Sequence, residues 1–199
     1  MLKPVFYSVF FLLLSFPIFG MGSLKIEGSV FKKSVYTCVI RTFAEDYQSR
    51  LWVGTFGAGL WVKDGKGWRK FGKSPSALPD ERISKIVVHK NELFIATAGG
   101  GICSLNLSDL SWKQIKIHTD LSNDEKTLNV RHFHALGFLG ERQMLLGAVG
   151  EGLFYFNGEK WSHFTDAGDL PNNWVNDVMI ASNGAWVATF GGIAFFSNG

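Results

Sequence analysis

Few residues in this sequence have the types and spacing that catalysis or metal binding requires. Each candidate group also has an ordinary structural explanation. His132 and His134 lie two positions apart, so on a β-strand both imidazoles would point from the same face and could chelate a metal. The sequence has no third candidate ligand at a spacing typical of metal sites, and paired histidines are common on protein surfaces. We therefore predict no metal site and no cofactor.

Two pairs of carboxylates have the residue types that an acid and a base of glycoside chemistry need. They are Asp80 with Glu81 and Glu151 with Glu159. All four occur in sequence typical of turns, where acidic residues are ordinary, and the chain has no Gly-x-Ser-x-Gly elbow for a nucleophilic serine. The sequence therefore predicts a protein that is not an enzyme, with a hydrolase or lyase as the less favoured alternative.

The glycine-rich segment Gly54-x-x-Gly57-x-Gly59 resembles a phosphate-binding loop, but an apolar strand follows it where such a loop needs a helix. The segment also recurs. Each copy is a short apolar run, a turn of small residues and a second apolar run, which predicts a β-hairpin. The four copies are residues 51–62, 93–104, 144–155 and 185–196.

Other elements repeat on both sides of these hairpins. A strand beginning with tryptophan follows three of them, at Trp68, Trp112 and Trp161, and a Leu-Pro loop precedes two of them, at Leu78 and Leu170. The unit is thus four short antiparallel strands in roughly 42 residues, the size of a β-propeller blade. Because one blade cannot bury both of its apolar faces, blades need neighbours. The sequence predicts an all-β propeller of about four four-stranded antiparallel blades, the last one incomplete.

One apolar position in each hairpin is expected to hold the blades together. The equivalent residues are Trp52, Phe94, Leu145 and Trp186. We predict that all four pack between blades. Trp174 is different, since it stands in a Leu-Pro loop where the other copy has Arg82, and a tryptophan in a loop is a candidate for ligand contact.

The composition restricts the class of partner. The 199-residue chain is 46% hydrophobic and 19% charged, and its 20 Lys and Arg against 17 Asp and Glu give a formal net charge of +3. Such content excludes intrinsic disorder, and the balanced charge without a basic run excludes nucleic acid as a partner.

The amino end has the pattern of a secretory signal. A positive charge at Lys3, an apolar stretch too short to span a bilayer and a small-x-small sequence before Ser23 predict a signal peptide over residues 1–22 and a mature domain over residues 23–199. A retained anchor stays open as the alternative. We predict a periplasmic or secreted protein with no stable membrane span after signal removal. There, Cys38 and Cys103 could pair, or both could be small buried side chains.

The repeats resemble those of a known family. Leu78-Pro79-x-x-x-Ile83 and the following Leu-Phe-Ile-Ala-Thr-x-Gly-Gly-Gly-Ile are similar to the two-component regulator propeller repeat, and the similarity covers about residues 35–199. The resemblance implies the periplasmic sensor propeller of a hybrid histidine kinase, here without the kinase and DNA-binding parts. The blades are predicted at approximately residues 35–71, 80–115, 128–164 and 172–199.

Two units depart from this pattern. The fourth lacks its outer strand, so either residues 23–31 supply that strand and close a small ring, or the chain is a truncated piece of a longer propeller. Both possibilities stay open. The third unit carries a polar insertion over residues 116–131, which is expected to be a surface loop.

In other propellers the loop entering the innermost strand and the loop between the second and third strands share one face, and binding surfaces are built from such loops. The residues of this loop face are Phe56, Asp80, Glu81, Arg82, Glu151, Asn172, Asn173, Trp174 and Phe190. We predict that the face recognises an extracellular small molecule or a partner protein, and the resemblance makes glycans a plausible ligand class. The alternative is an interaction scaffold, in which the exposed edge of the incomplete blade pairs with another chain.

Overall fold

The computed structural model describes residues 39–71, 78–117 and 130–197, together with the backbone of two short strands near the amino end. These strands, β1 (Lys25–Ile26) and β2 (Ser29–Val30), pair antiparallel with each other in a separate unit, Met1–Val35. Cys38, the predicted signal peptide and most of the predicted insertion lie outside the described residues.

Four antiparallel sheets, one for each predicted repeat, make up the rest of the described chain. The first blade contains β3 (Val39–Glu45), β4 (Leu51–Phe56), β5 (Leu60–Asp64) and β6 (Gly67–Phe71). The second blade contains β7 (Ile83–His89), β8 (Glu92–Thr97), β9 (Ile102–Asn106) and β10 (Trp112–Ile115). The third blade contains β11 (Phe133–Phe138), β12 (Met144–Ala148), β13 (Gly152–Phe156) and β14 (Trp161–Phe164). The fourth blade contains β15 (Val175–Ala181), β16 (Gly184–Thr189) and β17 (Gly192–Ser197). The predicted all-β propeller fold is confirmed.

The fourth blade has three strands among the described residues, as the sequence predicts. The segment considered as a source of its outer strand, residues 23–31, is described only at β1 and β2, and those strands pair with each other. Within the described ranges, no helix is long and apolar enough to cross a membrane.

Side chains alternate between the two faces of each blade, and the blades pack face to face in chain order. We call the face of a blade towards the next blade its forward face and the opposite face its backward face. Between the first two blades, Trp52 and Val62 on the forward face pack with Ile86 and Leu93 on the backward face, and all four are buried. This burial of one sheet by the next supplies the hydrophobic stabilisation that no blade has alone.

The same packing recurs at the next two interfaces. Between the second and third blades the buried core contains Ala96, Ile102, Phe133, Leu136 and Phe154. Between the third and fourth blades it contains Leu145, Leu153, Val178, Ala185 and Val187. Phe94 and Leu145, which are equivalent to Trp52 in the second and third repeats, therefore pack between blades as predicted.

Trp186, the equivalent residue of the fourth repeat, does not pack between blades, so the prediction for Trp186 is wrong. Met179, Trp186 and Phe195 lie opposite one another on the forward face of the fourth blade. These residues are 63%, 40% and 37% exposed, respectively. The physical reason is that no further blade follows among the described residues, so the row that is covered in the other three blades faces solvent here. We call this surface, with the neighbouring Ile193, the open forward face.

Backbone hydrogen bonds join each loop to the preceding blade. The first strand of each blade is its inner strand. In each case the amide of a turn glycine at positive φ donates to a backbone carbonyl, and the accepting residue lies two positions before the inner strand of the next blade. The three bonds run from Gly59 to Glu81, from Gly101 to Arg131 and from Gly152 to Asn173. Glycine is needed because this backbone conformation is strained for residues with a Cβ atom.

Two further turn glycines are required for a different reason. Gly100 and Gly191 have ordinary φ values. A Cβ atom on Gly100 would lie 2.6 Å from Cβ of Pro79, and one on Gly191 would lie 2.6 Å from the carbonyl oxygen of Pro171. The Leu-Pro loops therefore pack directly on these turns, which leaves no room for a side chain.

Candidate functional site

The loops that enter the inner strands β7, β11 and β15 lie beside the turns between the second and third strands, as the sequence predicts. Arg82, His132 and Trp174 occupy the same position, immediately before each inner strand. Their carbonyl oxygens accept hydrogen bonds from the amides of Ala98, Val149 and Phe190. We call the resulting surface the axial mouth. Its side chains are Phe56, Asp80, Arg82, His132, Trp174 and Phe190.

The charged part of the axial mouth is an ion pair. Arg82 donates to both carboxylate oxygens of Asp80, with its Nη2 2.7 Å from Oδ2 and its Nε 3.1 Å from Oδ1. Hydrogen bonding from Arg82 lowers the pKa of Asp80 although partial burial works to raise it, and the nearby His132 lowers it further. Asp80 is thus an anion at neutral pH, and it fixes the guanidinium of an otherwise exposed arginine.

The apolar part is a pair of exposed rings. The rings of Trp174 and Phe190 meet edge to face with centroids 5.3 Å apart. Trp174 is 49% exposed and Phe190 is 70% exposed. The side chain of Asn172 accepts a hydrogen bond from the amide of Trp174, which fixes the loop that carries the indole. Two large aromatic faces are therefore available to a ligand.

Two of the predicted loop-face residues, Glu81 and Asn173, have structural roles, and a third, Glu151, has an exposed side chain. Glu81 forms an ion pair with Lys70 at 2.9 Å. The side chain of Asn173 bonds both the amide and the carboxylate of Asp166. The backbone carbonyl of Glu151 contacts the imidazole of His163, and its exposed carboxylate has no ion pair among the described residues. Glu81 and Asn173 consequently hold the loops in place, so substituting them would not test ligand contact cleanly.

The sequence analysis did not predict the β-bulges on the inner strands, although it had singled out His134 as part of a histidine pair. Each inner strand has a β-bulge at its second or third residue, where the pairing register shifts. The extra residues are Arg41, Ser84, His134 and Asn176. Bulges re-aim side chains and are common beside binding sites. Their recurrence at one position of the repeat could be found by aligning the inner strands, although no residue type marks them.

Two of these bulge residues are coupled to the axial mouth. The guanidinium carbon of Arg41 lies 5.3 Å from the ring centroid of Phe56. Partial burial lowers the pKa of His134, and the positive charges of Arg41 and His132 lower it further. His134 is therefore neutral at neutral pH and can both donate and accept a hydrogen bond.

An ion pair crosses between inner strands that are not neighbours. Lys85 on β7 contacts Asp177 on β15 with its Nζ 2.9 Å from Oδ1. The second and fourth blades are thus held together at the centre. Asp80 and Asp177 are thus each paired with a cation, Arg41 adds a positive charge near Phe56, and His132 and His134 add hydrogen-bonding capacity. Among the described residues, no three His, Cys, Asp or Glu side chains come together as a metal site would need.

Comparisons with known proteins identify the fold. No protein-family model and no curated protein matches the chain. Among solved structures, the extracellular domain of the putative one-component system BT4673 from B. thetaiotaomicron is similar, with a TM-score of 0.64 and 21% identity over 82% of this chain and 21% of that one. The extracellular domain of the putative hybrid two-component system BT3049 from the same organism has a TM-score of 0.59 and 15% identity, over 80% of this chain and 24% of that one.

A structure of another class is also similar. An ancestral GH74 enzyme has a TM-score of 0.59 and 14% identity, over 80% of this chain and 23% of that one. The chain thus spans about a fifth to a quarter of the length of these three structures. At such identities the likeness shows the fold and no more. The chain is a β-propeller of four described blades, with the fold that two-component-system extracellular domains share, as its resemblance to two-component regulator repeats predicts.

Proposed function

We propose that this chain is the ligand-recognition part of a periplasmic or extracellular sensor, that it is not an enzyme, and that the ligand binds at the axial mouth. The observation that carries this proposal is the placement of unlike side chains at one loop position of separate blades. Arg82, His132 and Trp174 stand immediately before the inner strands of three blades, Asp80 fixes the cation of Arg82, and Trp174 forms an exposed ring pair with Phe190. Surfaces that combine ring faces with a few oriented polar groups are typical of small-molecule sites.

The ligand class follows from these groups. Aromatic faces pack against the apolar faces of sugar rings, while arginine and histidine side chains bond hydroxyl and carboxylate groups. An oligosaccharide fits both. The similarity to extracellular domains of two-component systems supports a sensor role for the chain.

The test is a screen of the full chain against defined oligosaccharides, by thermal shift and then by calorimetry. We expect at least one hit whose affinity falls roughly ten-fold or more in Trp174→Ala, the scale on which an interface aromatic is worth above one kilocalorie per mole. Trp186→Ala is the matched control, because Trp186 is also an exposed tryptophan but lies on the open forward face. Equal losses in both variants, or no hit at all, would contradict the proposal. Turnover of a screened sugar would favour the enzyme instead.

A second candidate function is an interaction scaffold. The open forward face supports it, because Met179, Trp186 and Phe195 form an apolar row of the kind that other blades use to bind a neighbour. Exposed apolar patches of this kind often mark contact surfaces. Sedimentation of the wild-type chain and of Trp186→Ser distinguishes the two functions. Association that Trp186→Ser abolishes supports the scaffold, and a monomer in both cases argues against it.

A further inference from the structure

A groove of about 890 Å³ lies between the second and third blades. None of the axial-mouth residues lines it. Its walls come from β8, β9 and β10 on one side and from the third blade on the other. This volume lies within the range of small-molecule sites in proteins.

One of the side chains that line the groove is smaller than its equivalents in the other blades. Val62, Ser104 and Tyr155 are equivalent: each lies on the third strand of its blade, on the forward face, opposite the residue equivalent to Trp52. The fourth blade has Phe195 at this position. Ser104 is the one small polar residue of the four, and it lines the groove. Ser104 is 2% exposed, so it lies at the floor of the groove, and its short side chain fills less of the space between blades than Val62 or Tyr155 does.

Aromatic rings form much of the groove wall. Phe94 and Phe138 have centroids 4.6 Å apart, and the imidazole of His89 stacks on Phe138 at 3.9 Å with nearly parallel planes. At the other end, the rings of Phe156 and Trp161 lie 5.0 Å apart. These stacked rings give a rigid apolar surface on both sides of the opening.

Positive charge surrounds this apolar surface. Lys90 is paired with Glu141 at 3.1 Å. Four further cations line the groove and have no ion pair among the described residues: Lys113, Lys116, Arg142 and Lys160. Glu92 and Glu159 are the other acidic residues of the lining, so the groove carries a net positive charge.

We propose that this groove binds a small amphipathic anion, meaning a carboxylate or sulfonate-like group on an aromatic or other apolar body. The apolar body lies on the rings of the wall, and the acidic group lies among the cations that have no ion pair within the described residues. Each half of the site matches one half of such a ligand, since rings contribute apolar contact area and free cations attract an anion. The proposal is independent of the ligand at the axial mouth.

The test is calorimetric titration of the full chain with naphthalene-2-sulfonate and, as the matched uncharged probe, 2-naphthalenemethanol. We expect the anion to bind more tightly than the alcohol, and its affinity to fall as ionic strength rises. Lys113→Gln and Lys160→Gln should each weaken the anion about two- to five-fold, the range of exposed ion pairs, and leave the alcohol unchanged. Lys66→Gln, in a turn of the first blade, should change neither.

Filling the groove gives the sharper result. Ser104→Phe should abolish binding of both probes. Tyr155 shows that a ring fits between blades at the equivalent position, but Ser104 is buried, so the substitution should also cost about 1–3 kcal/mol of stability. Ser104→Val is the milder variant if the phenylalanine prevents folding, which circular dichroism reports. Trp174→Ala should bind both probes normally. The proposal is overturned if the wild type binds neither probe, if the alcohol binds as tightly as the anion, if a folded Ser104 variant retains full affinity, or if Trp174→Ala abolishes binding.

Discussion

The cost of removing the same tryptophan should differ greatly between the first and fourth blades. Trp52 and Trp186 are equivalent in the repeat, but Trp52 is 0% exposed and Trp186 is 40% exposed. The indole of Trp52 donates a hydrogen bond of 2.7 Å to the buried Asp46 and meets the ring of Phe71 edge to face at 5.3 Å. Trp186 packs mainly on Phe195 of its own sheet, at 4.7 Å.

These contacts set the expected magnitudes. Replacing a buried tryptophan by alanine costs about 3–5 kcal/mol for lost burial and the cavity left behind. Losing the hydrogen bond to Asp46 adds about 1 kcal/mol, so Trp52→Ala should lower the free energy of unfolding by roughly 4–6 kcal/mol. Trp186→Ala leaves no cavity between blades and should cost about 1 kcal/mol or less.

Urea denaturation of the full chain, followed by circular dichroism, measures both values. Trp52→Phe should fall between wild type and Trp52→Ala, because it keeps most of the apolar contact and loses the hydrogen bond. Equal destabilisation by Trp52→Ala and Trp186→Ala would refute the reasoning, since it would mean that the open forward face is covered in solution.

Three further outcomes are expected. Burial works to raise the pKa of Asp46, but hydrogen bonds from the surrounding indole, guanidinium and amides lower it below its usual value. Its contribution to stability is therefore complete above about pH 4 and is lost as the pH falls through the lower native pKa, and Asp46→Asn should make urea stability less sensitive to acid. Gly152→Ala should destabilise the chain by about 1–3 kcal/mol in the same assay, because φ of Gly152 is +82° and an added Cβ atom would lie against the carbonyl oxygen of Phe164. Gly65→Ala is the control: its added Cβ atom meets no atom within 4 Å, so it should be nearly neutral. Burial raises the pKa of the free Cys103 thiol to about 12. We therefore expect iodoacetamide at pH 8 to alkylate Cys103 only after the protein is unfolded, as measured by peptide mapping. Alkylation of Cys103 in the native protein would contradict its burial.

The repeat could be predicted from the sequence because its signals are local. Apolar runs on both sides of small-residue turns, as in residues 51–62, indicate hairpins, and alternation along a strand decides which side chains share a face. The grouping of Arg82 and Trp174 at one end of the blades followed from chain order and strand direction alone. Those inferences need only neighbours within one repeat.

The tertiary structure decided whether each of those faces is covered. Trp52 and Trp186 have the same sequence surroundings, and only the presence of a following blade buries one and leaves the other exposed. The bulges that place Arg41 and His134, and the groove beside Ser104, were equally hidden. A bulge depends on pairing with another strand, and a groove depends on the sum of side-chain volumes across two blades. Strand pairing and the packing of two blades both depend on residues that are distant in the chain, and a local sequence pattern does not reveal such contacts.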